Sequence, residues 1–265
     1  MYNKLKLLIK MARNIFSLSF ILPPLELSIK ETAFKLLSLL EILRKEDAVY
    51  GKFKVSQLHF KKVAFDLNEM GFDKAVTVME ELFLRFHKAD IKELYLSPPA
   101  DDIIRVLGFM FLLVFDEKGK NHFSLSGNLS STKWNSLSIE NFTIENSNYD
   151  FDWYFNILRK INEFLNPIYS GVNIILPQYI EMYLPLKVIY PLGWITYFAN
   201  ESKIKMPNDI GFEVVQEEKG QYVFATREDF TVDKESFFAM KEKLIEGMKL
   251  LKSTCIQYSE TESPT

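Results

Sequence analysis

Hydrophobic and polar positions repeat along the chain with two different periods, and the changes of period divide it into elements. Large apolar residues alternate with serine in Ile15–Leu22, which is typical of a half-buried strand, and two prolines end it. A helical period follows over Leu25–Glu46, where Ser28 and Glu31 have the spacing of a capping box. The same period predicts three further helices, His59–Met70, Phe72–Lys88 and Asp152–Asn166. It also predicts a terminal helix with Asp233 as its N-cap residue.

The middle and the end of the chain favour strands. An apolar run at Val106–Phe115 and an alternating stretch at His122–Ser126 flank a polar turn, so this pair predicts an antiparallel hairpin. Glu217–Gly220 joins the two strands of a second predicted hairpin, and the Ser- and Asn-rich stretch Gly127–Asn135 predicts a loop. The remaining predicted strands are Ser136–Phe142, Val172–Leu176, Glu181–Tyr190, Trp194–Phe198, Gly211–Gln216 and Gln221–Thr226.

The order of these elements predicts the fold class. Helices and strands do not alternate strictly, so we expect an α+β fold in which a mostly antiparallel sheet packs against several helices in a single domain. We assign residues 1–14 to an N-terminal extension, 15–252 to the domain and 253–265 to a polar tail. A domain break at Ser97–Asp101 is the alternative, and Met11 is an alternative start to Met1.

Composition and charge narrow the class of function. The 265 residues are 48% hydrophobic and 25% charged, which is typical of a globular protein. The formal net charge is −3 and Lys and Arg form no long run, which argues against direct binding of nucleic acid. No apolar run reaches the ~18–20 residues of a membrane span, so we expect no membrane partner. A single cysteine, Cys255, excludes an internal disulfide and fits the cytoplasm.

The residue types that usually carry chemistry are scattered. The chain has no glycine-rich loop of the kind that holds phosphates. The three histidines, His59, His87 and His122, lack the paired spacing of metal ligands. We interpret Cys255 as a small residue without a nucleophilic role, and the pairs of adjacent acids as solvated loop residues. The sequence therefore predicts a protein that is not an enzyme and that uses no cofactor and no metal.

The most unusual stretch is Tyr190–Phe198. It places Trp194 and Tyr197 after a proline and Gly193, and an alternating strand would put the two aromatic residues on opposite faces. They are either core residues of a buried strand or anchors for a partner protein, since Trp and Tyr dominate the energetics of interfaces. The buried strand is the simpler interpretation.

This stretch, together with Gly220–Thr226 and the terminal helix, resembles the end of the immunity protein 52 family. The first strand, the helix from Ser28 to Leu43 and the segment Glu46–Tyr50 resemble the start of that family. The resemblance spans Ile15–Leu251, although the middle third matches only in outline. Its best motif is Gly193-Trp194-x-Thr196-Tyr197.

The resemblance implies an immunity protein that binds and neutralises a cognate bacterial polymorphic toxin in the cytoplasm. The implied toxin is a nuclease of the restriction-endonuclease-like type, and the resemblance carries no catalytic residues. The alternative is a non-enzymatic adaptor or accessory protein of a secretion or phage-like system, which would present an apolar patch to a structural partner.

Physical chemistry suggests where such a toxin would bind. A nuclease carries a cationic surface for phosphates, so acidic residues on its antidote would steer the encounter. Local acidity beside the second predicted hairpin makes five residues candidates for toxin binding: Glu217, Glu218, Tyr222, Glu228 and Asp229. The motif residues Gly193, Trp194 and Tyr197 are predicted to be structural.

Overall fold

A computed structural model describes residues 16–56, 63–93, 109–117, 121–132, 135–141, 150–174, 190–204, 206, 211–228 and 234–259. The α-helices in these residues are α1 Ile29–Glu46, α2 Leu67–Met70, α3 Phe72–Glu93, α4 Phe151–Leu165 and α5 Lys234–Ser259. The strands are β1 Phe16–Leu22, β2 Lys52–Ser56, β3 Val63–Asp66, β4 Phe109–Glu117, β5 Asn121–Leu129, β6 Asn135–Asn141, β7 Tyr169–Ile174, β8 Ile195–Ala199, β9 Glu213–Glu217 and β10 Gly220–Phe224. Short 3-10 helices cover Ala48–Gly51 and Asn200–Ser202.

The strands follow one another in the hydrogen-bonded order β3-β2-β4-β5-β6-β1-β7-β8-β10-β9. The pairs β2–β3, β2–β4, β4–β5, β5–β6, β7–β8, β8–β10 and β9–β10 are all antiparallel. The predicted α+β class with a mostly antiparallel sheet is therefore confirmed. The chain forms two compact units, the first with residues 1–19, 144–158 and 167–265 and the second with residues 20–143 and 159–166. The domain bounds 15–252 stay a prediction, and Ser97–Asp101 lies outside the described residues.

In the second unit, helix α1 begins at Ile29, after the predicted capping residue Ser28 and four residues later than the predicted start at Leu25. The backbone N–H of Glu31 donates to Ser28 Oγ at 3.2 Å, and the backbone N–H of Ser28 donates to Glu31 Oε2 at 2.7 Å. This capping box satisfies two donors that a helix start otherwise leaves free. The buried side of α1 consists of Thr32, Ala33, Leu36, Leu37, Leu39, Leu40 and Leu43.

The predicted helix His59–Met70 is wrong over Val63–Asp66. Residues 57–62 lie outside the description, Val63–Asp66 form strand β3, and the helical part is only Leu67–Met70. Strand β3 pairs with β2, where Phe65 lies opposite Phe53 and the two rings stack at 5.0 Å. Cross-strand aromatic pairs stabilise a sheet, and this pairing overrides the local helical period.

Two further predictions are corrected by the sheet. The predicted loop Gly127–Asn135 is shorter, because β5 continues to Leu129, which pairs with Phe109 of β4. Strand β1 is not half-buried, since both Phe16 and Ser17 are buried. A strand inside the order of the sheet can be covered on both faces, and the alternation of serine and apolar residues does not reveal this.

The first unit is built around a layer of aromatic rings. Phe151 on α4 lies 5.2 Å from Phe224 of β10, and Phe155 lies 5.2 Å from Tyr222. Both contacts are edge-to-face, a favourable geometry for aromatic pairs.

Helix α5 begins at Lys234. The predicted N-cap residue Asp233 and the tail after Ser259 lie outside the described residues. Within the described part of the chain, no helix combines the length and the apolarity needed to cross a bilayer.

Candidate protein-binding hairpin

Strands β9 and β10 form the second hairpin where the sequence predicts it. Glu217 pairs with Gly220, so Glu218 and Lys219 make the turn. All five residues of β10 are buried, whereas β9 is partly exposed and stands last in the strand order. The hairpin therefore has one strand in the core and one at the surface.

Hydrogen bonds fix the backbone of the turn. Asn200 Nδ2 donates to the carbonyl of Glu218 at 2.9 Å, and the Asn200 backbone N–H donates to the carbonyl of Lys219 at 2.9 Å. The Tyr197 hydroxyl donates to the same Lys219 carbonyl at 3.2 Å. Asn200 and Tyr197 thus fix the backbone of the turn, whereas the side chain of Glu218 is exposed.

Carboxylates lie near this turn, which also contains Lys219. The pKa of Tyr197 is raised chiefly by burial, and the carboxylates of Glu201 and Glu217 raise it further, because they disfavour a second anion beside them. Glu201 belongs to the 3-10 helix Asn200–Ser202 and is exposed. Glu201 could not be found from the sequence alone, since only the pairing of β8 with β10 brings its segment beside the turn.

The other candidates do not join this cluster. Glu228 is exposed, but it follows the opposite end of β10, and the strand between them spans about 13 Å at ~3.3 Å per residue. Tyr222 is only 2% exposed, and its ring lies 4.9 Å from the ring of Tyr197. Its side chain supports the hairpin from the core and is not presented at the surface. Asp229 lies outside the described residues.

An ion pair neutralises the far end of β9. Arg227 donates from Nε to Glu213 Oε2 at 2.8 Å and from Nη2 to Glu213 Oε1 at 2.6 Å, a bidentate geometry. These hydrogen bonds are the main reason that the pKa of Glu213 is lowered. The guanidinium also lies 4.9 Å from the ring centre of Phe224. Glu213 is thus committed to an internal pair.

The motif around Gly193 packs against β7 and the end of β10. A Cβ atom at Gly193 would lie 2.2 Å from the Val172 carbonyl oxygen, so no side chain fits there. The Trp194 backbone N–H donates to that carbonyl at 2.8 Å, and its indole Nε1–H donates to the Thr226 carbonyl at 2.9 Å. Trp194 thereby joins β7 to the end of β10.

The predicted placement of Trp194 and Tyr197 on opposite faces is wrong. The Trp194 ring lies 5.8 Å from Phe151 of α4, and Tyr197 contacts Tyr222, which lies against Phe155 of the same helix. Trp194 sits in a bend before β8 begins at Ile195, so the two-residue period of a strand does not yet apply to it. Both rings are buried and both face α4.

A depression of about 610 Å³ in the second unit is open to solvent. Its lining contains the ion pair between Lys52 Nζ and Asp66 Oδ2 at 2.6 Å. This pair lowers the pKa of Asp66 and raises that of Lys52, each through their hydrogen bond first. The described lining of this depression contains no histidine, cysteine or serine nucleophile.

The described side chains do not form a metal-binding group from the residue types considered in the sequence. In the part of the chain with described side chains, no three His, Cys, Asp or Glu residues come close enough to hold a metal ion. His59 lies outside the description, and His87, His122 and Cys255 lie in α3, β5 and α5 with side chains that are not described. The expectation of a protein without catalytic activity therefore stays a prediction.

Comparison with known proteins found a distant structural neighbour among the solved structures. No family model matches the chain, and no curated protein sequence matches it. A solved structure described as "Pseudomonas aeruginosa T6SS protein PA0821" is 9% identical, has a TM-score of 0.46, and the match covers 88% of this chain and 76% of the other. A likeness of this size carries no argument about fold or function. Membership of the immunity protein 52 family consequently stays a prediction.

Proposed function

We propose that this chain is a cytoplasmic immunity protein that binds a cognate polymorphic toxin, a cationic nuclease, through the turn of the β9–β10 hairpin. The supporting observation is the group of carboxylates at that turn, Glu201, Glu217 and Glu218, on a backbone that Asn200 and Tyr197 hold in place. The proposal gives the chain no catalytic step, because a bound antidote acts by occupying the surface of the toxin.

The physics of such a contact favours a rigid, charged element. Side chains on a fixed backbone lose less conformational freedom on binding than those on a mobile loop. Carboxylates at the tip of a hairpin attract a cationic surface and raise the rate of association. A standard interface buries roughly 1,600 Å², so surfaces beside the turn would contribute contact area while the charges guide the encounter.

Co-expression with the product of the neighbouring open reading frame tests the proposal. The readouts are survival of the host cell and co-purification of the two proteins. The variant Glu217→Lys/Glu218→Lys should lose protection. A matched control, Glu242→Lys/Glu246→Lys, reverses the same number of charges at exposed positions of α5 and should protect like the parent chain.

Full protection by the hairpin variant would contradict the proposed site. Co-purification of the parent chain without protection would instead match the adaptor alternative. Loss of protection by both variants would mean that total charge, and not the hairpin, determines the effect.

A further inference from the structure

Helix α1 carries an outer face that is apolar at its centre. Phe34 is 53% exposed, which is unusual for a phenylalanine, and Ile42 is partly exposed on the same side. At 3.6 residues per turn, seven residues fall within about 120° of the helix surface. We call them the α1 outer face: Glu31, Phe34, Lys35, Ser38, Glu41, Ile42 and Lys45.

Neighbouring aromatic rings extend this face into a groove. Phe34 meets Phe72 of α3 edge-to-face at 5.5 Å, and the ammonium of Lys35 lies 5.2 Å from the ring centre of Phe164 on α4. Phe72 and Phe164 both line a depression of about 600 Å³ whose floor includes Ser38 and Ile42. Exposed apolar surface bordered by polar residues is typical of protein interaction sites.

The order of residues along this face makes it complementary to itself. Counted from Ser38, Phe34 and Ile42 lie at equal distances in opposite directions, about 6 Å along the axis at 1.5 Å per residue. Glu31 and Lys45 are also equidistant from Ser38, at about 10.5 Å. Two antiparallel copies of α1 that cross at Ser38 would therefore set Phe34 beside Ile42 of the other copy and Glu31 beside its Lys45.

The side chains suit such a crossing. Ser38 is small, so two helices can approach closely at that point, and apolar residues would flank the crossing on either side. The charged residues would meet residues of opposite sign at both ends, whereas a parallel arrangement would place Glu31 beside Glu31 and Lys45 beside Lys45.

We propose that the α1 outer face binds the same face of a second copy of this chain, in an antiparallel, two-fold symmetric dimer centred on Ser38. An isologous interface of this kind uses one surface patch twice and closes at two subunits. Phe34 and Ile42 supply its apolar centre, and Glu31 and Lys45 set its orientation. The dimer does not depend on the hairpin proposal, and either can fail alone.

Sedimentation of the full chain across a range of concentrations tests the dimer. The parent chain should sediment as a dimer at high concentration. Phe34→Asp should raise the dissociation constant by about tenfold or more, because it places a charge at the apolar centre. The matched control Phe238→Asp changes another exposed phenylalanine, 45% exposed on α5, and should leave the dissociation constant unchanged.

A charge exchange tests the antiparallel pairing itself. Lys45→Glu and Glu31→Lys should each weaken self-association, since each would place like charges together. An equal mixture of the two variants should recover a heterodimer, in which both pairs again have opposite signs. The variant Lys249→Glu, at an exposed position of α5, controls for net charge. Circular dichroism checks that the helix survives loss of the capping carboxylate.

A parent chain that stays monomeric at every concentration would overturn the proposal. So would a dimer that tolerates both Phe34→Asp and Lys45→Glu. If Phe34→Asp does not fold, Lys45→Glu decides alone, because Lys45 is exposed and its replacement leaves the core unchanged.

Discussion

Gly193 and Trp194 act together as a junction in the first unit. The absence of a side chain at Gly193 lets the backbone approach the Val172 carbonyl. The backbone N–H of Trp194 donates to that carbonyl, and its indole N–H donates to the Thr226 carbonyl. Each contact joins segments that are distant in the sequence. The sequence predicted that these residues are structural, but it could not indicate which carbonyls they meet, since those partners depend on the pairing of β7, β8 and β10.

Gly193→Ala should destabilise the protein by about 1–3 kcal/mol, the usual range for an overpacked core. The new methyl group would also lie 2.6 Å from Asn173 Oδ1. The backbone of Val172, which it would contact as well, cannot move without disturbing the strand. Denaturant unfolding measures the effect. Gly51→Ala is the control, because the nearest atom there, Arg44 Cδ at 3.0 Å, belongs to a flexible side chain. Equal unfolding midpoints for the parent and Gly193→Ala would contradict this account.

The Glu213–Arg227 pair predicts a dependence of stability on pH. The folded-state pKa of Glu213 lies below its ordinary value of 4.5, so the pair stabilises the protein above that value and is lost as the pH falls through the lowered pKa. Glu213→Gln should therefore lower the melting temperature at neutral pH, and the difference from the parent should vanish in acid. Glu163→Gln, which alters a looser pair at 3.7 Å, should show a smaller difference. A constant difference at all pH values would exclude the pair as its cause.

Among the elements, those with strong local signals were predicted best. The capping box of α1, the helical face of α4 and the hairpin β9–β10 all lie where the sequence placed them. Strand β2 was missed, and β3 was assigned to a helix, because both are short and owe their stability to pairing with other strands. The position of Glu201 beside Glu217 was missed for the same physical reason, since it requires the register of β8 with β10.

Ser28→Ala should destabilise the protein by about 1 kcal/mol, because it removes the acceptor for the Glu31 backbone N–H. Thermal or denaturant unfolding measures this change. Ser28→Asp keeps an acceptor at the N-cap and should restore most of the lost stability. If alanine and aspartate give the same stability as serine, the capping box contributes nothing measurable to this helix.

For the whole molecule, the distribution of charge is more informative than its sum. A net charge of −3 says little by itself, and several described acids are held in ion pairs, as with Glu213. The sequence grouped Glu217, Glu218, Glu228 and Asp229 because they are close along the chain. The structure keeps Glu217 and Glu218 together, adds Glu201, and separates Glu228 by the length of β10.

Rates of association between the chain and its toxin partner, measured at low and at high salt, show whether the hairpin turn guides the encounter. Glu217→Lys/Glu218→Lys should associate about tenfold or more slowly than the parent at low salt, and added salt should narrow the difference in rate. Glu242→Lys/Glu246→Lys should associate like the parent. A hairpin variant that binds as fast as the parent, with the same salt dependence, would contradict the account.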